Sequence, residues 1–249
     1  KVKLTKELIY GARQLQFIGV MATGYDNIDL EAAKERGIAV CNVPSYGTEA
    51  VAQLTISLLL DITQRAAAID RLVHQGNWSA SPDFCYWDKP PVLLYGKTMG
   101  IIGLGNIGRE VARLATAFGC EVRYFSTSGA KREEEYPSVE LDELLKWSDI
   151  VSVHSPLNER TRGLVGRREL QLMKPTSLII NVARGGIIDE AALAEALDNG
   201  WVSAAALDVF SVEPLRESPL YNIKDRYRLL ASPHNAWSAA EAIDRLIEC

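Results

Sequence analysis

The stretch "MGIIGLGNIGREVARLATAFG", Met99–Gly119, decides the fold of this chain. A short apolar run leads into Gly103, Gly105 and Gly108, which have G-x-G-x-x-G spacing, and the apolar residues after them fall on one helical face. In this context the first glycine permits a tight turn, the second lets backbone approach a pyrophosphate, and the third allows close helix–strand contact. The stretch therefore predicts a strand, a dinucleotide-binding turn and a helix whose N-terminus faces an anion.

The same alternation of apolar runs and helical patterns continues along the chain. Strand-like runs lie at about 120–125, 149–155, 177–183, 202–210 and 227–234, with helical patterns between most of them. Strands that alternate with helices in this way predict an α/β fold with a doubly wound parallel sheet. A smaller strand–helix–strand alternation precedes it, followed by a long helix from Thr48 to about Arg65 and an irregular, Pro- and aromatic-rich connection.

Composition limits the classes of partner. The chain has 249 residues, 47% hydrophobic and 24% charged, with a net charge of −5, which is ordinary for a soluble globular protein. The longest basic run is a pair of arginines, and the apolar stretches are too short for a bilayer, so neither nucleic acid nor a membrane is expected as a partner. Four scattered cysteines and three dispersed histidines predict no metal site and a reducing, cytoplasmic location.

The end of the strand after the glycine-rich turn bears on the choice of cofactor. NAD sites commonly place Asp or Glu there to hold the ribose 2′-hydroxyl. This chain has Ser126, Thr127 and Ser128 instead, with Lys131 and Arg132 close behind. Hydroxyls and cations suit a 2′-phosphate, which favours NADP; an NAD enzyme that tolerates the missing acid is the alternative.

Six further motifs extend the pattern over nearly the whole chain: "ATGYDNIDLEAAKERGIAVCNVP", "GKTMGIIGLGNIG", "DIVSVHSPLNERT", "INVARGGIIDE", "AALDVFSVEP" and "SPHNAW". In this order they resemble the D-isomer-specific, NAD(P)-dependent 2-hydroxyacid dehydrogenase family. "SYGTEAVAQ" and "FCYWDKP" are similar to its glycerate dehydrogenase (hydroxypyruvate reductase) branch. The resemblance implies a Rossmann domain at 45–234, inserted in a smaller flavodoxin-like substrate domain at 1–44 and 235–249 that is truncated at both ends and weakly held.

The resemblance also assigns a catalytic set. Arg184 follows a buried strand, where a guanidinium is costly unless it is paired, and it matches the family residue that binds the substrate carboxylate and carbonyl. Glu213 and His234 match the family's acid–base pair. Chemistry supports this assignment, because hydride addition to a ketone leaves negative charge on oxygen and requires a proton donor that works near neutral pH, as histidine does. Taken singly, each of these two residues would more often be an ordinary loop or turn residue, and it is their order together with Arg184 that favours the catalytic interpretation.

Other positions follow from the same resemblance. Thr23 and Gly24 match the loop that receives the substrate carboxylate, and Asp208 matches a position on the nicotinamide amide side. His154 is interpreted as structural or cofactor-lining, and His74 as a helix-surface residue. Tyr86, Trp87 and Trp237 either line the pocket or belong to the core. The full cofactor-binding set comprises Gly103, Gly105, Asn106, Ile107, Gly108, Ser126, Thr127, Ser128, Pro156, Thr161, Ala183 and Asp208.

The implied function is hydride transfer between NAD(P)H and C2 of a small 2-oxo or 2-hydroxy acid, with hydroxypyruvate or glyoxylate going to D-glycerate or glycolate. A 3-phosphoglycerate or D-lactate dehydrogenase would share the same motifs. A non-catalytic protein that senses dinucleotides is the alternative from another class. The resemblance further implies a homodimer that associates through the helix Thr48–Arg65 and the stretch Phe84–Trp87.

Overall fold

The computed structural model describes residues 2–129 and 134–249. It contains two compact units, one built from the residues up to Ala50 together with Ala236–Cys249, and the other from Val51–Asn235. Within the described ranges, no helix is both long and apolar enough to cross a membrane.

The smaller unit is built on two parallel strands. Its elements are α1 (Lys6–Gly11), β1 (Phe17–Val20), α2 (Leu30–Glu35), β2 (Ala39–Asn42) and, after the chain returns, α9 (Ala240–Glu248). β1 and β2 pair in register from Phe17–Ala39 to Val20–Asn42. Asp29 caps α2 by accepting a hydrogen bond from the Ala32 N–H at 2.9 Å. Its core consists of Ile9, Ile18, Ile28, Ala32, Ala33 and Ile38.

The larger unit contains a six-stranded sheet in which every pairing is parallel. The strands are β3 (Thr98–Ile102), β4 (Glu121–Phe125), β5 (Ile150–Val153), β6 (Leu178–Asn181), β7 (Ala204–Leu207) and β8 (Leu229–Ala231), in the spatial order β4-β3-β5-β6-β7-β8. The middle strands β5, β6 and β7 are buried along their whole length, as expected for a sheet covered on both faces. The predicted doubly wound parallel sheet is confirmed.

The other helices are α3 (Thr48–Gln64), α4 (Ala66–His74), α5 (Asn106–Ala117), α6 (Leu141–Trp147), α7 (Arg167–Leu172) and α8 (Glu190–Asn199). Of these, α5 and α6 contact β3 and β4. The sequence predicted the long helix to end near Arg65 and did not predict α4 after it. Arg65 has a φ of 56°, in the left-handed region, and this one residue separates the two helices. α1 was also missed.

The strand order places a topological switch point at β3 and β5. The chain passes from β3 to β4 on one side and then crosses to β5 on the other side of β3. In open α/β sheets, ligands bind outside the carboxyl ends of the strands where the order reverses in this way. The glycine-rich turn and the segments after β6, β7 and β8 all lie at this carboxyl edge.

Candidate active site

The turn after β3 has the shape that a dinucleotide requires. Gly103 has a φ of 93°, and a Cβ on it would come within 3.0 Å of the Ser155 backbone. A Cβ on Gly108 would lie 2.4 Å from the Gly103 carbonyl oxygen, whereas one on Gly105 would meet no atom of the described residues within 4 Å. Gly103 and Gly108 are therefore needed by the fold, and Gly105 leaves open space where a pyrophosphate would approach.

The N-terminus of α5 follows this turn and is a second feature that suits an anion. The helix begins with Asn106 and Ile107, directly after Gly105, which has no side chain to cap the first-turn N–H groups. The first turn also carries no acidic residue, so no carboxylate of this turn offsets the partial positive charge of the helix N-terminus, which favours an anion. The open space at Gly105 and these amides fit a dinucleotide, and bound there it would supply a hydride for reduction.

Serine hydroxyls and an arginine meet at the end of β4. Ser126 and Ser128, on either side of Thr127, have their Oγ atoms 3.3 Å apart. Arg160, in the segment that follows β5, donates a hydrogen bond from Nη1 to the Ser128 carbonyl at 3.5 Å. Lys131 and Arg132, which the sequence suggested as further cations here, lie outside the described residues. Arg160 was not among the predicted site residues, because only the fold brings its segment to this strand end.

The segment after β5 is fixed by a buried hydroxyl. Thr161 is fully buried; its Oγ1 donates to the Pro156 carbonyl at 2.6 Å and accepts from the Asn158 N–H at 2.9 Å. Pro156 itself is exposed. Thr161 therefore holds the conformation of this segment. Contact of Pro156 or Thr161 with a cofactor stays a prediction.

His154 directly follows β5 and is half-buried. Its Nε2 is 2.8 Å from Ser152 Oγ, and its Nδ1 is shielded from solvent with no hydrogen-bond partner among the described residues. Burial lowers the pKa of His154 from 6.5 to about 3. The ring is therefore neutral at pH 7, and a proton-donor role is not available to it there.

This burial has a consequence for stability in acid. Below pH 6.5 the unfolded chain gains a proton on this histidine that the folded chain does not accept, so the free energy of unfolding falls as the pH drops from 6.5 towards 3. His154→Asn should reduce the loss between pH 7 and pH 5 by about 2 kcal/mol relative to the wild type. Urea denaturation of both proteins at the two pH values measures this difference. Equal losses in the two proteins would contradict the burial of a neutral imidazole.

The segment "NVARGG" after β6 is held by one side-chain amide. Asn181 donates from Nδ2 to the Arg184 carbonyl at 2.9 Å and accepts from the Ala183 N–H at 3.0 Å. Arg184 is half-buried, and its Nη1 donates to the Ala183 carbonyl at 2.8 Å. A Cβ on Gly185 would lie 2.0 Å from the carbonyl carbon and oxygen of Phe210. The glycine after Arg184 thus allows the chain that follows β7 to pack directly against this segment.

Glu213 and His234, which the resemblance assigns as an acid–base pair, lie in contact with each other. His234 Nδ1 lies 2.6 Å from Glu213 Oε2, and Glu213 Oε1 accepts from the Phe210 N–H at 3.0 Å. The two side chains are 30% and 21% exposed, respectively, so ligand can reach a pair that is partly shielded from water. Because an ionised carboxylate only accepts hydrogen bonds, Nδ1 carries a proton in this contact and Nε2 is the other ring nitrogen.

Asp208 accepts hydrogen bonds from residues on both sides of His234. His234 has a φ of 53°, a region that residues other than glycine rarely adopt. Asp208 is fully buried, and its Oδ1 accepts from Ser232 Oγ at 2.6 Å and from the Asn235 N–H at 3.0 Å. These two hydrogen bonds stabilise the unusual backbone conformation of His234. Contact of Asp208 with the nicotinamide, which the resemblance implied, stays a prediction.

The arrangement can bind an acid and deliver a proton beside a dinucleotide. Arg184, Glu213 and His234 follow β6, β7 and β8, three neighbouring strands that end at the same edge of the sheet. A guanidinium offers paired donors to a carboxylate, and an imidazole that is oriented by a carboxylate can transfer a proton at its second nitrogen. Among the described residues, no three potential ligands cluster into a metal site.

Thr23 and Gly24 belong to the smaller unit. Thr23 donates from Oγ1 to the Val43 carbonyl at 3.2 Å, and its own carbonyl accepts from Asn42 Nδ2 at 2.8 Å. These contacts fix the loop after β1 against the end of β2. Contact of Thr23 and Gly24 with a substrate carboxylate stays a prediction.

The remaining histidine and the aromatic residues lie at or near the surface. His74 is exposed on α4, with Nδ1 2.9 Å from the Asp70 carbonyl oxygen, as expected of a helix-surface residue. Trp87 and Trp237 are 53% and 38% exposed, so neither is a core residue, and Tyr86 is half-buried.

Comparison with known proteins gives one consistent result. The family model described as "D-isomer specific 2-hydroxyacid dehydrogenase, NAD binding domain" matches residues 56–236. The chain is 40% identical over 251 residues to a hydroxypyruvate reductase of Blautia hydrogenotrophica, covering 100% of this chain and 77% of that protein. It is also similar to the crystal structure of an NADPH-dependent glyoxylate/hydroxypyruvate reductase of Sinorhizobium meliloti with NADP and malonate (TM-score 0.89, 30% identity, covering 99% and 76% of the two chains). A D-lactate dehydrogenase of Aquifex aeolicus with NAD and lactic acid has a TM-score of 0.89 at 32% identity, covering 99% and 77%.

Proposed function

The chain belongs to the D-isomer specific 2-hydroxyacid dehydrogenase family, and we propose that it reduces hydroxypyruvate and glyoxylate to D-glycerate and glycolate with a nicotinamide dinucleotide. The observation that carries this proposal is the Glu213–His234 pair, 2.6 Å apart, at the sheet edge that also bears Arg184. The names of the relatives, hydroxypyruvate reductase and glyoxylate reductase, support the choice of substrates.

In the proposed reaction Arg184 binds the substrate and His234 supplies the proton. The guanidinium holds the carboxylate and the C2 carbonyl of the oxoacid, which fixes the face of C2 that is reduced. As C2 gains hydride and its oxygen becomes negative, His234 transfers a proton from Nε2 to that oxygen. Glu213 keeps the ring oriented through Nδ1 and stabilises the imidazolium that donates the proton.

Two observations support NADPH as the preferred cofactor. Ser126, Thr127 and Ser128 stand where NAD sites commonly carry an acid, and their hydroxyls are compatible with a 2′-phosphate. Arg160 brings a guanidinium to the Ser128 carbonyl at 3.5 Å, so a cation is present at the end of β4. An arginine in this place would form an ion pair with a 2′-phosphate, whereas a ribose 2′-hydroxyl offers it only a neutral acceptor.

Replacing Arg160 tests this preference. Arg160→Ala should raise the KM for NADPH about tenfold and leave the KM for NADH within about twofold, because only the 2′-phosphate loses a partner. Calorimetric titration with adenosine 2′,5′-bisphosphate and with ADP gives the same comparison without turnover. Arg162→Ala, two residues away, is the matched control and should change neither. If Arg160→Ala weakened the binding of NADPH and of NADH equally, Arg160 would not recognise the 2′-phosphate.

The activity itself is tested by the loss of reduced nicotinamide absorbance. Hydroxypyruvate, glyoxylate, pyruvate and 3-phosphohydroxypyruvate are compared as substrates, each with NADH and NADPH. Faster turnover of the first two supports the proposal. Faster turnover of pyruvate or of the phosphorylated acid would assign the chain to the lactate or phosphoglycerate branch. Tight dinucleotide binding without turnover of any oxoacid would favour a sensing protein.

We further propose that the chain forms a homodimer through exposed apolar side chains of residues 66–95 in the larger unit. All residues of α4 are at least partly exposed, and five large apolar side chains that follow it are between 48% and 92% exposed: Trp78, Phe84, Trp87, Leu93 and Tyr95. Large exposed apolar side chains that form a contiguous patch commonly mark an interface, and the proposal is that these residues do so. Sedimentation as a monomer at micromolar concentration would contradict the dimer.

The four free cysteines support the proposal of a reducing, cytoplasmic location.

A further inference from the structure

Glu190 holds both ends of the segment that carries Glu213. Its Oε1 accepts a hydrogen bond from the Ser211 N–H at 2.6 Å, and its Oε2 accepts from Ser218 Oγ at 3.1 Å. Glu213 lies between these two anchors. Ser218 is also the cap of the short 3₁₀ turn Pro219–Asn222, so the second anchor joins the segment to regular structure.

Helix capping does not account for these contacts. Glu190 is the first residue of α8, where an acidic side chain is favoured by the helix dipole. However, Asp189 already caps this helix by accepting from the Ala191 and Ala192 N–H groups at 2.9 and 3.0 Å. Glu190 instead directs its half-buried carboxylate across to another part of the chain.

The anchored segment determines where the Glu213 carboxylate points. The described residues between β7 and the turn that begins at Pro219 form no helix or strand, so side-chain and close backbone contacts must hold them. Phe210 donates its N–H to Glu213 Oε1, and its carbonyl group packs against Gly185. Ser211, the next residue, is the one that Glu190 binds. Glu190 therefore fixes the peptide unit beside the one that orients Glu213.

We propose that Glu190 is a positioning residue for the Glu213–His234 pair, and this inference rests on the proposed function of that pair. Its carboxylate keeps Glu213 Oε2 in contact with His234 Nδ1 and so keeps Nε2 directed towards the substrate. Small displacements of groups that orient catalytic residues can cost ten- to a hundredfold in rate, even from positions that touch no substrate. Glu190 acts through geometry, because its two partners are a backbone N–H and a hydroxyl.

Two variants and a matched control distinguish positioning from charge. Glu190→Ala removes both anchors and should lower kcat about tenfold, while the dissociation constant for NADPH stays within about twofold of the wild type. Glu190→Gln should retain kcat within about threefold, because its carbonyl can accept from Ser211 and its amide can donate to the Ser218 hydroxyl. Glu195→Ala, on the same helix and paired with Arg167 at the surface, should leave kcat unchanged.

A spectroscopic readout separates this inference from the activity. A protonated Nδ1 in a 2.6 Å contact with a carboxylate gives a far-downfield proton resonance, assigned by its absence in His234→Asn. Wild type and Glu190→Gln should show this resonance, and Glu190→Ala should lose or broaden it, whether or not hydroxypyruvate is turned over. An unchanged resonance in Glu190→Ala would overturn the inference, as would a Glu190→Gln variant as slow as Glu190→Ala. An inactive wild type that shows the expected resonance pattern would contradict only the proposed function.

Discussion

Replacing His234 with asparagine is expected to lower kcat for hydroxypyruvate reduction by about a thousandfold. General acid catalysis by a positioned side chain contributes roughly a hundred- to ten-thousandfold, and an amide does not supply this proton at neutral pH. Asparagine is the most informative replacement, because His234 has a φ of 53° and asparagine tolerates this left-handed region better than most residues. The amide can also donate to Glu213, so the local structure is retained.

Steady-state kinetics with NADPH measures this loss, and the dissociation constant for NADPH should stay within about threefold of the wild type. His74→Asn makes the same chemical change on the exposed surface of α4 and should leave kcat unchanged. A His234→Asn variant that keeps more than a tenth of the wild-type kcat would show that the proton reaches the C2 oxygen by another route.

Replacing Arg184 with methionine is expected to lower kcat/KM for hydroxypyruvate by about a hundred- to a thousandfold. Removing one partner of a shielded, hydrogen-bonded charge pair costs several kcal/mol, and a carboxylate bound at this half-buried position would lose its paired donors. Arg184→Lys should recover only part of the loss, because an ammonium keeps the charge but lacks the planar fork of donors.

Three measurements define the Arg184 effect: KM for the oxoacid, kcat, and the dissociation constant for NADPH. The first should rise strongly and the last should change little. Arg167→Met is the matched control, since Arg167 is paired with Glu195 at the surface of the same unit. Similar KM values for hydroxypyruvate in Arg184→Met and wild type would show that Arg184 does not bind the substrate.

The sequence predicts those parts of the molecule that depend on local pattern. The glycine spacing after an apolar run fixes the β3–α5 turn, since Gly103 needs a positive φ and Gly108 a close approach. The apolar runs that alternate with helical patterns after it predict a doubly wound parallel sheet. The resemblance also paired Glu213 with His234, and the structure brings these two residues, 21 positions apart, into contact.

Contacts between segments that are distant in the chain could not be predicted from the local sequence pattern. Arg160 meets Ser128 across 32 positions, and Glu190 meets Ser211 and Ser218 across 21 and 28 positions. Spacing alone contains no signal for such contacts, because they depend on the order of the strands. The break at Arg65 was missed for a different reason: a left-handed residue other than glycine has no compositional signature.

The most direct test of the proposed reaction is the transfer of deuterium from reduced nicotinamide to the product. The chain is incubated with hydroxypyruvate and NADPH that carries deuterium at both C4 positions, and the product is examined by NMR and by chiral chromatography. We predict D-glycerate with deuterium at C2, since the hydride adds to C2 and the proton on oxygen comes from His234. Glycerate without deuterium at C2, L-glycerate, or no product from a chain that binds the dinucleotide would contradict the proposal.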